Sequence, residues 1–345
     1  MSSAPLVSVL IPCWGCREYI RETIDSVLAQ DYQPLEIVVV EDCGSDGTYE
    51  EALKMRDPRL RVVRNERNYG QYGNKNRALD LAHGEFIKYV DGDDLIEPNC
   101  VSRLMQAQEE AGPGVGIIFG NFVVIDERGR PLGMPAAWGI TGRVRGLAVL
   151  DAVTRPRQAG SRFGNVSAHL LRKRSLVSIG GFPNHNAGPG DLETFLKLLC
   201  HTDVYFVEER LSKYRVRPDS MGTRTFGLRE CTDFLEMVER LSAFFSEQPH
   251  LPAHLRDPSF LDEWKVWAGS HNIFSSYLHK WRGQPNQYDE IRAMYRQAGL
   301  AAEFDTVMTK DFRRFLLQTL MRKARVAIGL PDQSPLLHHL AGNGA

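Results

Sequence analysis

The chain has 345 residues, which is enough for roughly two domains. Its hydrophobic fraction of 43% and charged fraction of 25% are those of an ordinary soluble globular protein, and a formal net charge of −1 gives no reason to expect a nucleic-acid partner. No apolar run approaches the length of a membrane span and no signal peptide is recognisable. We therefore expect a cytoplasmic protein whose six cysteines are reduced thiols.

The N-terminal half alternates strand-like and helix-like patterns. Short, mostly apolar runs predict strands at residues 6–11, 35–40, 60–64 and 85–90. Apolar residues at helical spacing and a C-cap glycine predict helices over about 18–29, 48–55 and 74–83. Repeated βα units of this kind predict an α/β fold with a mostly parallel sheet and helices on both faces.

Candidate ligand-binding residues follow three of the predicted strands directly. They are Pro12, Trp14, Glu41, Asp42, Asp91 and Asp93. Ligands of parallel sheets bind beyond the carboxyl ends of the strands, so these residues should gather at one edge. Two carboxylates separated by a single glycine suit Mg²⁺ or Mn²⁺ that also holds a substrate diphosphate.

Five ordered motifs resemble the signatures of family 2 glycosyltransferases, and the likeness covers roughly residues 5–222. The motifs lie at residues 7–12, 36–48, 84–94, 179–198 and 214–217. The resemblance implies the GT-A fold, a Rossmann-like nucleotide-sugar-binding half (about 5–125) joined to an acceptor-binding half (about 126–222). It also implies an inverting transferase that moves a sugar from a nucleotide-sugar, most commonly a UDP-sugar, to a hydroxyl of a glycan or lipid-linked glycan.

The resemblance further implies roles for individual residues. Asp191 resembles the general base that takes the proton of the acceptor hydroxyl in a single displacement. Asp91 and Asp93 resemble the pair that holds Mn²⁺ or Mg²⁺, which stabilises the departing nucleoside diphosphate. The candidates for contact with the donor are Pro12, Trp14, Glu41, Asp42, Asn68, Lys75, Asp91 and Arg217.

Several of these residues have a plainer structural explanation. Asp42 would also fit an Asx-type turn with Gly44, and Trp14 would fit the core equally well. Lys75 would equally be an exposed charge on a helix. Asp191 would be favoured by the dipole at a helix N-terminus whether or not it is a base.

Two positions depart from the family pattern. Gly190 stands where a glutamate often precedes the base, and Arg217 stands where a histidine often closes the last motif. A guanidinium cannot ligate a cation and would rather clamp phosphate. Arg215 and Arg217 alternate on a strand-like segment, which predicts that only one of them faces the site.

Two alternative functions remain open, and the departures at Gly190 and Arg217 support the first of them. The first is a catalytically silent nucleotide-sugar-binding or assembly protein. The second is a sugar nucleotidyltransferase, which is disfavoured because no glycine-rich, arginine-containing loop follows the first strand. Cys13 and Cys16 have the spacing of a thioredoxin-type redox pair, a weaker hypothesis beside the sugar-transferase motifs.

The rest of the chain is less informative. Residues 116–125 predict a long strand, and the glycine-, proline- and arginine-rich stretch 131–165 predicts a mobile loop over the acceptor site. Residues 223–330 predict a C-terminal helical region. Its basic amphipathic segment 310–328 is a candidate for peripheral contact with the inner face of a membrane, or for packing within the chain or in a homo-oligomer. Residues 331–345 predict a disordered tail.

Overall fold

The computed structural model of the protein describes residues 4–133, 140–154, 165–184, 189–217 and 228–261, together with 293, 296 and 297. The predicted membrane-contact segment 310–328 and the predicted tail 331–345 lie outside the described residues. Among the residues that the structure describes, no helix combines the length and apolar character needed to cross a bilayer.

Ten strands of the described residues form one mixed sheet. They are β1 (Val7–Cys13), β2 (Leu35–Glu41), β3 (Leu60–Arg64), β4 (Phe86–Tyr89), β5 (Leu95–Ile96), β6 (Val115–Ile125), β7 (Pro131–Gly133), β8 (Gly142–Val144), β9 (His169–Arg172) and β10 (Asp203–Arg215). The order is β3-β2-β1-β4-β9-β6-β10-β5, with β7 beside β6 and β8 beside β10.

Nine α-helices of the described residues flank this sheet. They are α1 (Ile20–Leu28), α2 (Thr48–Ala52), α3 (Gly70–Leu81), α4 (Cys100–Ala111), α5 (Gly146–Thr154), α6 (Lys173–Ser178), α7 (Gly190–Leu199), α8 (Leu228–Ser246) and α9 (Ala253–Arg256). Short 3₁₀ turns occur at Val166–Ala168 and Pro258–Leu261.

The predicted α/β fold is confirmed: its N-terminal strands form a continuous four-stranded parallel part, and β6 and β10 form a further parallel pair. Strands β3, β2, β1 and β4 pair in parallel, whereas β9 pairs antiparallel with both β4 and β6. Every residue of β1 is buried because helices cover both faces of the sheet. Leu10 packs into one apolar cluster while Val9 and Ile11 pack into the other, as the two-residue repeat of a strand requires.

Two predictions about local structure need correction. Helix α3 begins at Gly70 rather than near residue 74, since a distant carboxylate, Asp42, accepts the N–H groups of Tyr69 and Gly70. The stretch 131–165 is not simply a loop, because β7, β8 and α5 lie within it. Helix α5 forms because its apolar side chains, Val149, Leu150 and Val153 among them, pack into the core.

The described part of the C-terminal region is helical, as predicted. The face of α8 that carries Val238, Leu241 and Phe245 is fully buried and belongs to the same apolar cluster as the buried residues of α7. Arg240 of α8 also reaches Glu193 of α7, with Nη2 3.1 Å from a carboxylate oxygen. The described part of the C-terminal region is therefore packed, through α8, directly on the helix that carries Asp191.

Candidate active site

The predicted site residues converge at one edge of the sheet. Parallel pairing brings the carboxyl ends of β1, β2 and β4 to that edge. The segment that follows β10 and the first turn of α7 reach the same place, as ion pairs from Arg217 to Asp93 and from Lys75 to Asp191 show. Sequence elements more than a hundred residues apart thus build one site.

Asp42 holds the start of α3. Only 2% of the residue is exposed. Its Oδ1 accepts hydrogen bonds from Asn65 Nδ2 at 2.7 Å and from the Tyr69 N–H at 2.9 Å, and its Oδ2 accepts one from the Gly70 N–H at 2.8 Å. The Asx-turn alternative is wrong, since the Gly44 N–H donates to Glu41 Oε1 and the nearby Thr48 N–H donates to Asp46.

The other donor-contact candidates near β1 and β2 differ in exposure. Glu41 is fully buried, accepts the Gly44 N–H at 2.6 Å and has a pKa raised by burial. Pro12 is buried within β1. Trp14 is 55% exposed, so the alternative that it belongs to the core is wrong. Asn68 is exposed, and its side-chain oxygen accepts the Gly70 N–H at 2.9 Å.

A tight turn carries the carboxylates that follow β4. The Asp94 N–H donates to the Asp91 carbonyl at 2.9 Å. The Asp94 carboxylate is buried beneath the turn, where it accepts from Ser167 Oγ at 2.6 Å and from the Arg215 N–H at 2.9 Å. Ser167 Oγ in turn accepts the Asp91 N–H at 3.1 Å. Asp94 and Ser167 therefore fix the backbone from which Asp91 and Asp93 project.

Gly92 lets this turn lie against the chain that follows β1. A Cβ atom on Gly92 would lie 2.5 Å from Cys13 Cβ and 2.7 Å from Cys16 Sγ, so a side chain here would displace the turn. A hydrogen bond with Cys16, together with burial, raises the pKa of Cys13 well above its usual value. The thiolate needed for redox chemistry is therefore disfavoured, and the pair packs as small apolar side chains.

Both arginines at the end of β10 approach Asp93, so the prediction that only one faces the site is wrong. Arg215 is 2% exposed, and its Nε donates to the Asp93 carbonyl at 2.8 Å. Arg217 Nε donates to Asp93 Oδ2 at 2.7 Å. Both guanidinium groups also lie over the ring of Tyr19. The alternation fails because β10 ends at Arg215, and Arg217 lies beyond the last strand residue.

Lys75 lies at the centre of the site and is not an exposed helix charge. Its residue is 0% exposed, and Nζ lies 3.2 and 3.4 Å from the two oxygens of Asp191 and 3.3 Å from Asp91 Oδ1. Burial opposes the charge on Lys75, but the two carboxylates outweigh it and raise the pKa of the amine. One ammonium group therefore joins the predicted base to the first carboxylate of the predicted metal pair.

Asp191 is buried in the first turn of α7. Burial raises the pKa of its carboxyl group to about 6, although the neighbouring Lys75 favours the charged form. The helix N-terminus also favours a carboxylate here, as the plainer structural explanation requires, and the role of Asp191 as a base stays a prediction. A carboxyl group with a pKa near neutrality can accept and release protons at physiological pH.

Three residues of the site escaped the sequence patterns: Ser167, Tyr72 and Arg215. Arg215 was seen only as an alternating basic residue, and Ser167 carries no motif. Tyr72 lies three residues before Lys75 on α3, a spacing that places both on one helix face. That spacing is the one signal in the sequence that points to Tyr72.

The carboxylates of Asp91 and Asp93 fit a divalent cation whose remaining ligands are substrate phosphates and water. Mg²⁺ is commonly held by one or two carboxylates together with substrate phosphates and water. The side chains of Asp91 and Asp93 are 30% and 16% exposed, so both carboxylates reach the solvent edge. In the part of the chain that the structure describes, no group of three or more His, Cys, Asp or Glu side chains forms a cage for a metal ion.

Comparisons with known proteins agree with this geometry. The sequence profile described as Glycosyl transferase family 2 matches residues 8–172. The chain is 29% identical over 245 residues to a protein named Glycosyltransferase GlyG from Streptococcus pneumoniae, which covers 68% of this chain and 79% of that relative. It is 36% identical over 127 residues to a GalNAc(5)-diNAcBac-PP-undecaprenol beta-1,3-glucosyltransferase from Campylobacter jejuni, which covers 36% of this chain and 40% of that relative.

A solved structure shares the fold. The crystal structure of S. aureus TarS 1-349 in complex with UDP-GlcNAc superposes with a TM-score of 0.63 at 19% sequence identity. The match covers 89% of this chain and 91% of that one, so it extends beyond the residues matched by the family profile.

Proposed function

The chain is a family 2 glycosyltransferase with the GT-A fold, and from this premise we propose that it moves a sugar from a UDP-sugar to a hydroxyl group of a glycan or lipid-linked glycan. The TarS complex with UDP-GlcNAc supports the choice of UDP. The undecaprenol-linked substrate named for the C. jejuni relative supports a lipid-linked acceptor, and with it a role in building cell-envelope polysaccharide.

The observation that carries the proposal is the buried contact between Lys75 and Asp191. Asp191 accepts the proton of the acceptor hydroxyl as that oxygen attacks the anomeric carbon of the donor sugar. Lys75 Nζ, 3.2 Å away, favours the ionised carboxylate against the cost of burial. A single base on the side opposite the leaving group gives one displacement and inversion at the anomeric carbon.

The other carboxylates face the leaving group. Asp91 and Asp93 would hold Mn²⁺ or Mg²⁺, which acts as a Lewis acid on the departing UDP when it is bound. Arg217, whose Nε lies 2.7 Å from Asp93, is positioned to contact a phosphate oxygen. Glu41 and Asp42, at the end of β2, border the nucleoside. We place this chemistry in residues 1–222 and propose that the helical region 223–330 supports it, since its described helix α8 packs on α7.

The Arg217–Asp93 ion pair is also what favours the second candidate, a catalytically silent nucleotide-sugar-binding protein. In that case the guanidinium would replace the cation permanently. Such a protein would bind UDP without releasing it from any donor.

The test measures UDP release from a panel of UDP-sugars with Mn²⁺, in the presence and absence of a lipid-diphosphate-linked glycan. We expect one donor to be turned over by the wild type and Asp191→Asn to lower the rate by about 10²–10⁴-fold, the usual contribution of a general base. Asp25→Asn, on the exposed side of α1, is the matched control and should retain the wild-type rate. Binding of UDP without release from any donor would favour the silent protein, and full activity of Asp191→Asn would exclude it as the base.

A further inference from the structure

The ring of Tyr72 occupies the space next to the backbone that precedes Asp191. Tyr72 is 3% exposed and its ring lies parallel to that of Phe182, with centroids 6.2 Å apart. A Cβ atom on Gly190 would lie 2.6 Å from two atoms of the Tyr72 ring and 2.8 Å from Pro183 Cγ. Real Cβ atoms do not make contacts this short, so only glycine fits before Asp191 while the ring holds its place.

The hydroxyl of Tyr72 contacts the same backbone. It accepts a hydrogen bond from the Gly190 N–H at 2.7 Å. Gly190 is the first residue of α7, where the N–H groups have no partner within the helix. The phenol therefore supplies a partner that the helix cannot, one residue before the predicted base.

Tyr72 and Lys75 act on Asp191 from one face of α3. Lys75 holds the carboxylate, and Tyr72 holds the backbone from which that carboxylate projects. Asp42, at the end of β2, anchors the start of α3. The position of Asp191 is therefore fixed relative to the sheet edge that carries the candidate donor-binding residues.

We propose that Tyr72 is a positioning residue for Asp191: its hydroxyl fixes the first turn of α7, and its ring makes glycine the residue that must precede the base. The proposal rests on the proposed function, in which Asp191 takes the proton of the acceptor. A base displaced by about 1 Å can lose about 10²-fold in rate. Donor binding, which we propose for the side of Lys75 that faces Asp91, should be affected much less.

The first test replaces the hydroxyl alone. Tyr72→Phe should lower kcat by about 10- to 100-fold while the KM for the UDP-sugar stays within about twofold. The matched control is Tyr32→Phe, which removes a hydroxyl that donates to the Pro5 carbonyl at 2.7 Å far from the site, and it should keep the wild-type kcat. A role in stability only would lower the melting temperature of Tyr72→Phe without this change in kcat.

Failure of the positioning role of Tyr72 can be distinguished from failure of the proposed function. If Asp191→Asn is inactive while Tyr72→Phe retains the wild-type kcat, the positioning role is overturned and the proposed function stands. If Asp191→Asn itself retains activity, the base is elsewhere, and the positioning role falls with the assignment of Asp191.

A second test addresses the contact between the Tyr72 ring and residue 190. It compares melting temperatures in two backgrounds, so it stays informative if one variant is less stable. Gly190→Ala should lower the melting temperature in the wild-type background and should lower it less in Tyr72→Ala, because the clashing ring is then gone. Gly120→Ala is the control, since a Cβ there would make only ordinary contacts of 3.5 Å or more. An equal loss in both backgrounds would show that the Tyr72 ring does not determine the residue at position 190.

Discussion

Replacement of Lys75 by methionine tests the electrostatic centre of the site. Methionine nearly keeps the length of the side chain and removes its charge. The ammonium group is completely buried and lies within 3.3 Å of both Asp91 and Asp191, so the variant leaves two carboxylates without their shared cation. Removing one partner of a buried ion pair typically costs about 3–5 kcal/mol, and we expect a loss of that order in the free energy of unfolding at pH 7.

The same variant should change the pH profile in a defined direction. Burial raises the pKa of Asp191 to about 6 and Lys75 opposes that rise, so without Lys75 the pKa becomes higher still. A general base must be ionised, and the acid limb of kcat/KM, which reports the free enzyme, should therefore move upward from about pH 6. Each pH unit of movement corresponds to about 1.4 kcal/mol. The stability deficit should shrink as the pH falls below about 6, where the protonated Asp191 no longer needs the cation.

The measurements are initial rates of UDP release between pH 5 and 9 and urea unfolding at several pH values. Lys54→Met is the matched control, because Lys54 pairs with Glu51 on the surface with 60% of its side chain exposed. Surface pairs of this kind contribute about 0–1 kcal/mol, so the control should unfold almost like the wild type and keep its pH profile. An acid limb that stays in place in Lys75→Met would refute the electrostatic link between Lys75 and Asp191.

Two further variants test the ends of the site. Arg217→Ala removes the guanidinium group that binds Asp93. In the absence of nucleotide, Mn²⁺ should then bind about tenfold more tightly, whereas UDP should bind more weakly. Calorimetry measures both affinities, and an unchanged affinity for Mn²⁺ would argue against Asp93 as a metal ligand. Arg240→Met removes a partner of buried Glu193 and should lower the free energy of unfolding by about 1.5–3 kcal/mol, with a smaller loss in Arg240→Lys. Equal losses in the two Arg240 variants would contradict a role for its charge.

The sequence predicts best where apolar periodicity and strand order determine position. The runs that become β1, β2 and β4 are short, apolar and joined by helices, so the carboxyl ends that carry Asp42 and Asp91 could be assigned to one edge without coordinates. The same logic failed beyond β10, because alternation ends where the strand ends. Arg217 could not be oriented from the sequence for that reason.

Helix α3 shows why the centre of the site could not be predicted. Its buried face carries Tyr72, Asn74 and Lys75, so the usual contrast between an apolar and a polar face is missing. Each of these side chains is buried because it meets a partner from elsewhere in the chain: the Gly190 N–H, the Val40 carbonyl and the carboxylates of Asp91 and Asp191 respectively. Such partners are created by the fold, and no local pattern reveals them.

The two departures from the family pattern are each matched by a neighbouring side chain. Gly190 is where the Tyr72 ring leaves no room for a Cβ atom, and Arg217 is where the Asp93 carboxylate accepts a guanidinium N–H. Here Asp191 keeps a buried cation within hydrogen-bonding distance, and the backbone before it is held by a phenol. The Gly190 departure therefore leaves the predicted base in a well-packed, hydrogen-bonded setting, whereas the Arg217–Asp93 ion pair is the feature for which UDP release must distinguish a working transferase from a silent one.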